Sequence, residues 1–244
     1  MGNEGTDETG GADGVRLELL PSFRCQVGGR EVRLSEGICS LVVMVALEET
    51  WIARRTVQAR LWPDAEPVGA AKRLRQALWR VRRETGGRLL EATTGHIRLV
   101  QDVRVDLCEA RSLARSVIDR KVPPEPARSA DTGVLGRELL HGWTDEKVEV
   151  VRVQWDRLRV LALERLAEQS LASGGTVDAL ELAGTAAAVD AFGEAPHRIM
   201  ASAHLGRGDH ASAWRVYTGY RRLLKRELGL EPSTGFSELF ASLR

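Results

Sequence analysis

The amino-acid sequence predicts a mainly α protein in two parts: a compact N-terminal part with small β-sheets and an all-α C-terminal part. Three observations predict it. First, residues 70–84, AAKRLRQALWRVRRE, form on a helix one apolar edge of Ala71, Leu74, Leu78 and Val81 and a broad cationic back. Second, residues 88–100, RLLEATTGHIRLV, follow at once. There Leu89 and Leu90 lead into a Thr93-Thr94-Gly95 turn, and Ile97 and Leu99 alternate with His96 and Arg98, as in a β-hairpin. A basic helix followed by a hairpin is the order of elements in a winged helix-turn-helix. Third, Ala167, Leu171, Gly174 and Ala179 return thirty-four residues later as Ala201, Leu205, Gly208 and Ala213. That is the period of tetratricopeptide repeats, whose paired helices need small residues and a glycine turn to pack.

The elements follow in order. Residues 1–14 are acidic and glycine-rich and predict a disordered tail. Leu17, Leu19, Leu20, Phe23, Cys25, Val27, Val32 and Leu34, interrupted by Pro21 and Gly28-Gly29, predict a small antiparallel sheet. Ser35 is placed to cap a first helix, apolar nearly all round from Ile38 to Leu47 and so central and buried. A second helix over 54–61 has Val57, Leu61 and Trp62 inside and stops at Pro63-Asp64. The basic helix and hairpin complete a winged-helix domain over 15–104. The second domain, 105–244, opens with a helical region, passes an exposed loop over 119–133 marked by Pro123, Pro124 and Pro126, and reads as helical from 135 almost to the end. Its long amphipathic helix spans 148–173, a strong helix over 211–228 ends at Gly229, and a short helix over 233–243 closes the chain.

Composition narrows the function. Of 244 residues 43% are hydrophobic and 28% charged, enough for real cores. A membrane span needs about 18 or more apolar residues in a row, and no such run occurs. The N-terminus lacks a secretory pattern, and a cytoplasmic, nucleoid-associated protein without membrane contact is expected. Cys25, Cys39 and Cys108 are too scattered for a disulfide framework or a zinc site. His197, His204 and His210 have no partner at ligand spacing and are read as surface or packing residues, so no metal or cofactor is expected. No nucleophile with its base, and no paired acids, suggest an enzyme. The net charge of +1 hides an asymmetry: residues 51–100 hold eleven Lys/Arg against four Asp/Glu. Local charge is what a phosphate feels, because screening sets in at about 8–10 Å.

These residues point to nucleic acid. Lys72, Arg73, Gln76, Arg80 and Arg83 are expected to face the major groove, with Gln76 and Arg73 at base edges and Arg80 and Arg83 on phosphates. Trp79 on the same side can pack on sugar-phosphate or a neighbouring protomer; the alternative is a half-buried tryptophan closing the domain edge. Arg54 and Arg55 begin the second helix, where backbone N–H groups favour a phosphate; a solvated pair is the alternative. His96 and Arg98 on the hairpin are candidates for the minor groove. The competing function class is a protein-interaction scaffold, in which repeat helices and winged helix alike bind protein.

The residues quoted also resemble a known family. LWPDAEPVGAAKRLRQALWRVRRE with its short wing resembles the OmpR-type winged helix of SARP-class regulators (Streptomyces antibiotic regulatory proteins). ELLHGWTDEKVEVVRVQWDRLRVLALERLAEQSLASGG and GYRRLLKRELGLEPS resemble their bacterial transcriptional activator domain. The resemblance covers roughly 15–244. It implies transcription activators, associated with antibiotic biosynthesis, that bind promoter direct repeats as dimers on the double-stranded DNA. It also implies recruitment of RNA polymerase holoenzyme through its sigma factor, a recognition helix at 70–84 and a wing at 93–98. The sequence departs from the family at Ala53, where a Ser or Thr cap is usual, and at the apolar Gly37-Ile38-Cys39-Ser40. It holds no G-x-x-x-x-G-K-[ST] loop, so the short form without a nucleotide-binding domain is implied.

Overall fold

The computed structural model describes residues 14–119 and 132–241. The tail over 1–14 and the loop over 119–133 lie outside the described residues except at their ends. The chain divides into two compact units, one made of residues 1–109 with Glu138–Arg152 and the other of Ala110–Arg137 with Val153–Arg244.

In the first unit β1 (Val15–Glu18), β2 (Arg24–Val27) and β3 (Arg30–Glu31) form an antiparallel meander, and β7 (Arg104–Val105) joins parallel to β1, giving the order β3-β2-β1-β7. Alternation puts Leu17 opposite Cys25 on the buried side. Gly28 and Gly29, both at positive φ, make the two-residue hairpin turn that only glycine takes without strain. Helix α1 (Glu36–Leu47) is buried continuously from Leu41 to Leu47, as its all-round apolar sequence requires. Ser35 precedes it with extended backbone, but its side chain makes no capping bond; its carbonyl oxygen instead accepts from the N–H of Ile38 and Cys39.

Helix α2 (Arg54–Leu61) buries Val57, and α3 (Pro67–Thr85) follows with Pro67 in its first turn. The wholly buried line of α3 runs through Ala70, Leu74, Val81 and Thr85, with Ala71 and Leu78 half-buried beside it. The helix is thus rolled slightly from its expected apolar edge. The Thr85 hydroxyl donates to the Val81 carbonyl at 2.7 Å, which satisfies the one polar side chain on that line. Strands β5 (Leu90–Ala92) and β6 (His96–Leu99) form the hairpin, and β4 (Ile52–Ala53) adds to β6, giving the order β4-β6-β5.

A winged-helix domain ending at 104 is the sequence expectation; the first unit also takes in the start of helix α4 (Asp106–Asp119) and Glu138–Arg152. Hydrogen bonds explain why. The buried Asp106 carboxylate accepts from the N–H of Leu19 at 2.8 Å and of Leu20 at 3.0 Å. This fixes the corner whose carbonyls, at Leu19 and Pro21, accept from the N–H of Leu140 and His141. Arg152 donates to the carbonyls of Leu139, Leu140 and Trp143, and Lys147 pairs with Glu48 at 3.2 Å. Those bonds account for a departure from expectation: residues 137–145 are irregular, where continuous helix was predicted from 135.

The second unit is helical. After a short 3-10 turn (Gly133–Gly136) come α5 (Glu146–Ala172), which enters this unit at Val153, then α6 (Thr176–Val189), α7 (Glu194–Gly206), α8 (His210–Leu228) and α9 (Thr234–Glu238). The 34-residue repeat is structural. Ala167 and Ala201 are fully buried, as are Ala179 and Ala213, while Gly174 (φ 86°) and Gly208 (φ 75°) turn the chain between paired helices. Ala167, Ala183 and Ile199 form one core cluster, and Ala201, Ala213, Tyr220, Leu224, Phe236 and Phe240 another. Trp155 is wholly buried and donates its indole N–H to the Arg137 carbonyl at 2.9 Å. Helix α8 ends at Gly229 in the left-handed region. The terminal helix is shorter than expected: capped by Ser233, it stops at Glu238, and Phe240 reaches the core from a turn.

Candidate nucleic-acid interface

Helix α3 turns its polar side to solvent because Ala70, Leu74, Val81 and Thr85 hold the opposite side in the core. Lys72, Arg73, Gln76, Trp79, Arg80 and Arg83 are all exposed, and so are Arg75 and Arg82 on the flanks. Among the described residues Lys72, Arg73, Arg75, Arg80 and Arg82 make no ion pair, so the face keeps its charge. Arg83 is the exception. Its Nε and Nη2 donate to Glu84 Oε1 at 3.1 and 2.5 Å, and its guanidinium lies 4.9 Å from the centre of the Trp79 ring. Trp79 itself is 59% exposed.

The wing is tied to the start of α2. Ala53 supplies no side-chain cap, and the wing replaces it: the Arg54 N–H donates to the Gly95 carbonyl at 2.8 Å and its Nη1 to the Thr93 carbonyl at 3.2 Å. Arg54 is therefore half-buried and engaged within the fold, whereas Arg55 is exposed. His96 is exposed at the wing, edge-on to Trp51 at 6.5 Å. Arg98 is held: it donates to Glu91, directly across the hairpin, at 2.8 Å and lies 4.5 Å over the Trp51 ring. The role of Trp51 as a platform is invisible in periodicity, because it lies far from the hairpin in sequence and comes beside it only through the β4–β6 pairing. Arg75 and Arg82 were legible from helical spacing alone, on the margins of the exposed face.

The rest of the chemistry is structural. Among the described residues Cys25, Cys39 and Cys108 form no disulfide, and burial pushes the Cys25 thiol up to about 11. His197 Nδ1 lies 2.9 Å from the Gly193 carbonyl and its ring stacks on Tyr220 at 4.4 Å; burial lowers its pKa. Among the described residues no group of three or more His, Cys, Asp or Glu side chains could hold a metal, and no helix is long and apolar enough to cross a membrane.

Residues 135–244 match the bacterial transcriptional activator domain family. Among solved structures the chain is similar to Mycobacterium tuberculosis EmbR, solved in complex with a low-affinity phosphopeptide. The TM-score is 0.72 and the identity 17%, over 92% of this chain and 63% of that protein, so this chain spans less than two thirds of its length. That likeness concerns the fold. A search of curated proteins finds no match. The family matched is one of transcriptional regulators and not a class of enzymes. The winged-helix unit is thus followed by helices that match the bacterial transcriptional activator domain over residues 135–244, a little under half of the chain.

Proposed function

We propose that the protein is a sequence-specific DNA-binding activator that occupies direct repeats in promoters and recruits RNA polymerase holoenzyme, by way of its sigma factor. Two protomers bind side by side on the DNA, in the cytoplasm at the nucleoid. The observation that carries this reading is the exposed face of α3, where Gln76 lies among Lys72, Arg73, Arg75, Arg80 and Arg82, none of which makes an ion pair among the described residues. Phosphates draw such a face in by releasing condensed counterions, and a helix about 10–12 Å across fits the major groove. In this reading Arg73 and Gln76 approach base edges, Lys72 faces the major groove beside them, and Arg80 and Arg83 approach phosphates. Arg55 and the free edge of Arg54 meet the backbone beside α2, and His96 and Arg98 lie along the minor groove.

The test is selection of DNA from a random pool by the full chain at near-physiological salt. A direct repeat with half-sites about one helical turn apart supports paired protomers on one DNA face. On the selected site, Arg80→Ala lowers affinity for all sequences and reduces the salt slope by about one, whereas Gln76→Ala relaxes preference at one base pair. Retention of no sequence in preference to another sinks this reading and favours the protein scaffold.

A further inference from the structure

Trp79 is the anomaly of the cationic face. It sits on the side of α3 away from Leu74 and Val81, 59% exposed, among Lys72, Arg75, Gln76, Arg80, Arg82 and Arg83. Among the described residues it stacks on no other aromatic ring; its one ring contact is the Arg83 guanidinium, which also donates to Glu84. The guanidinium lies over the ring, and more than half of the side chain is left to solvent. Every other exposed side chain from Lys72 to Arg83 is an ion or an amide, suited to base acceptors and phosphates.

We propose that Trp79 is a specificity-determining residue that reads the 5-methyl group of thymine in the major groove, with Arg83 holding the ring upright. The proposal rests on α3 being the groove-entering helix. The chemistry is selective: of the four bases only thymine shows an apolar group there, and ions and amides gain nothing from it. The same face of a second copy is a poor occupant for the ring, since that contact would set cation against cation.

Replacement of each thymine in the selected site by 2′-deoxyuridine removes the methyl group and keeps every hydrogen-bonding atom. The wild-type protein should bind about fourfold more weakly when the methyl opposite Trp79 is removed, the equivalent of one buried methyl. Trp79→Ala should bind the thymine and uracil sites alike, whereas Arg80→Ala should weaken both and keep their ratio. Unchanged circular dichroism of Trp79→Ala, expected for an exposed side chain, ties the result to contact rather than folding. Equal wild-type affinity for thymine and uracil at every position overturns the proposal, as does an unaltered ratio in Trp79→Ala. A protein that retains no DNA at any salt overturns the reading of α3 and this proposal with it; one that retains a defined sequence but ignores the methyl overturns this proposal alone.

Discussion

Replacing Asp106 by Asn tests whether its carboxylate is what holds the corner at Leu19-Leu20-Pro21. The carboxylate accepts the N–H of Leu19 on Oδ1 and the N–H of Leu20 on Oδ2, and the residue is 6% exposed. An amide of the same shape has one acceptor, so one of the two buried N–H groups must face an NH2. A hydrogen bond to a charged acceptor contributes about 1.5–3 kcal/mol, and stranding a buried donor costs about 1–3 kcal/mol. Part of that loss is offset. Burial pushes the Asp106 carboxyl above its ordinary range against the pull of the Leu19, Leu20 and Leu107 N–H donors, and the amide escapes that penalty on the charged form. The net expectation is a loss of about 2 kcal/mol, with the melting temperature down by about 8 °C for a unit of this size. Asp106→Ala, which strands both donors, should lose more. Thermal unfolding of the full chain by circular dichroism reads both. An Asn variant as stable as the wild type would refute the reasoning, and so would an Ala variant more stable than the Asn one.

Three further outcomes are expected. At Glu48, burial raises the carboxyl but the Arg60 and Lys147 bonds outweigh it, leaving the pKa below its ordinary value. Glu48→Gln should therefore cost about 0.5–1 kcal/mol near neutral pH, and the deficit should vanish as pH falls below about 4.3 and through the lowered folded-state value; equal denaturant midpoints at pH 7 would contradict it. At Gly208 a Cβ would meet nothing within 4 Å, so Gly208→Ala isolates the cost of positive φ, about 1 kcal/mol by chemical denaturation, and an unchanged midpoint would show that the turn relaxes freely. Glu91→Gln removes the anion that holds Arg98, so it should raise affinity for non-specific DNA and steepen its salt dependence; weaker binding would place the wing away from phosphate.

The sequence made the first unit legible where one periodicity dominates. Apolar α1, the one-sided α3, the Thr93-Thr94-Gly95 turn and the Gly28-Gly29 hairpin each carry their geometry in local residue order. The 34-residue spacing likewise exposed the helical repeat, since buried alanines and turning glycines have few substitutes. What stayed hidden depends on long-range pairing. No local pattern reveals that Asp106 grips Leu19 and Leu20, that Arg54 borrows a carbonyl from Gly95, or that residues 137–145 give up helix for bonds to an N-terminal corner. The same limit applies to the interface. Spacing exposed the cationic face of α3, but the grip of Glu91 and Trp51 on Arg98, and of Trp79 on Arg83, arises from sheet register and rotamers.

The membership of Glu138–Arg152 in the first unit bears on how this chain can be cut and recombined. A natural-looking junction, at residue 104 or in front of the activator-domain match at 135, would strip the N-terminal unit of buried Leu139, Leu140 and Val148 and of the partners of Leu19, Pro21 and Glu48. A cut in front of 135 also divides the second unit, which includes Ala110–Arg137. A chimera that keeps Glu138–Arg152 from the same parent as the winged helix, and takes both Ala110–Arg137 and Val153–Arg244 from the other, leaves each set of bonds with its own ancestry, the Trp155 bond to the Arg137 carbonyl included.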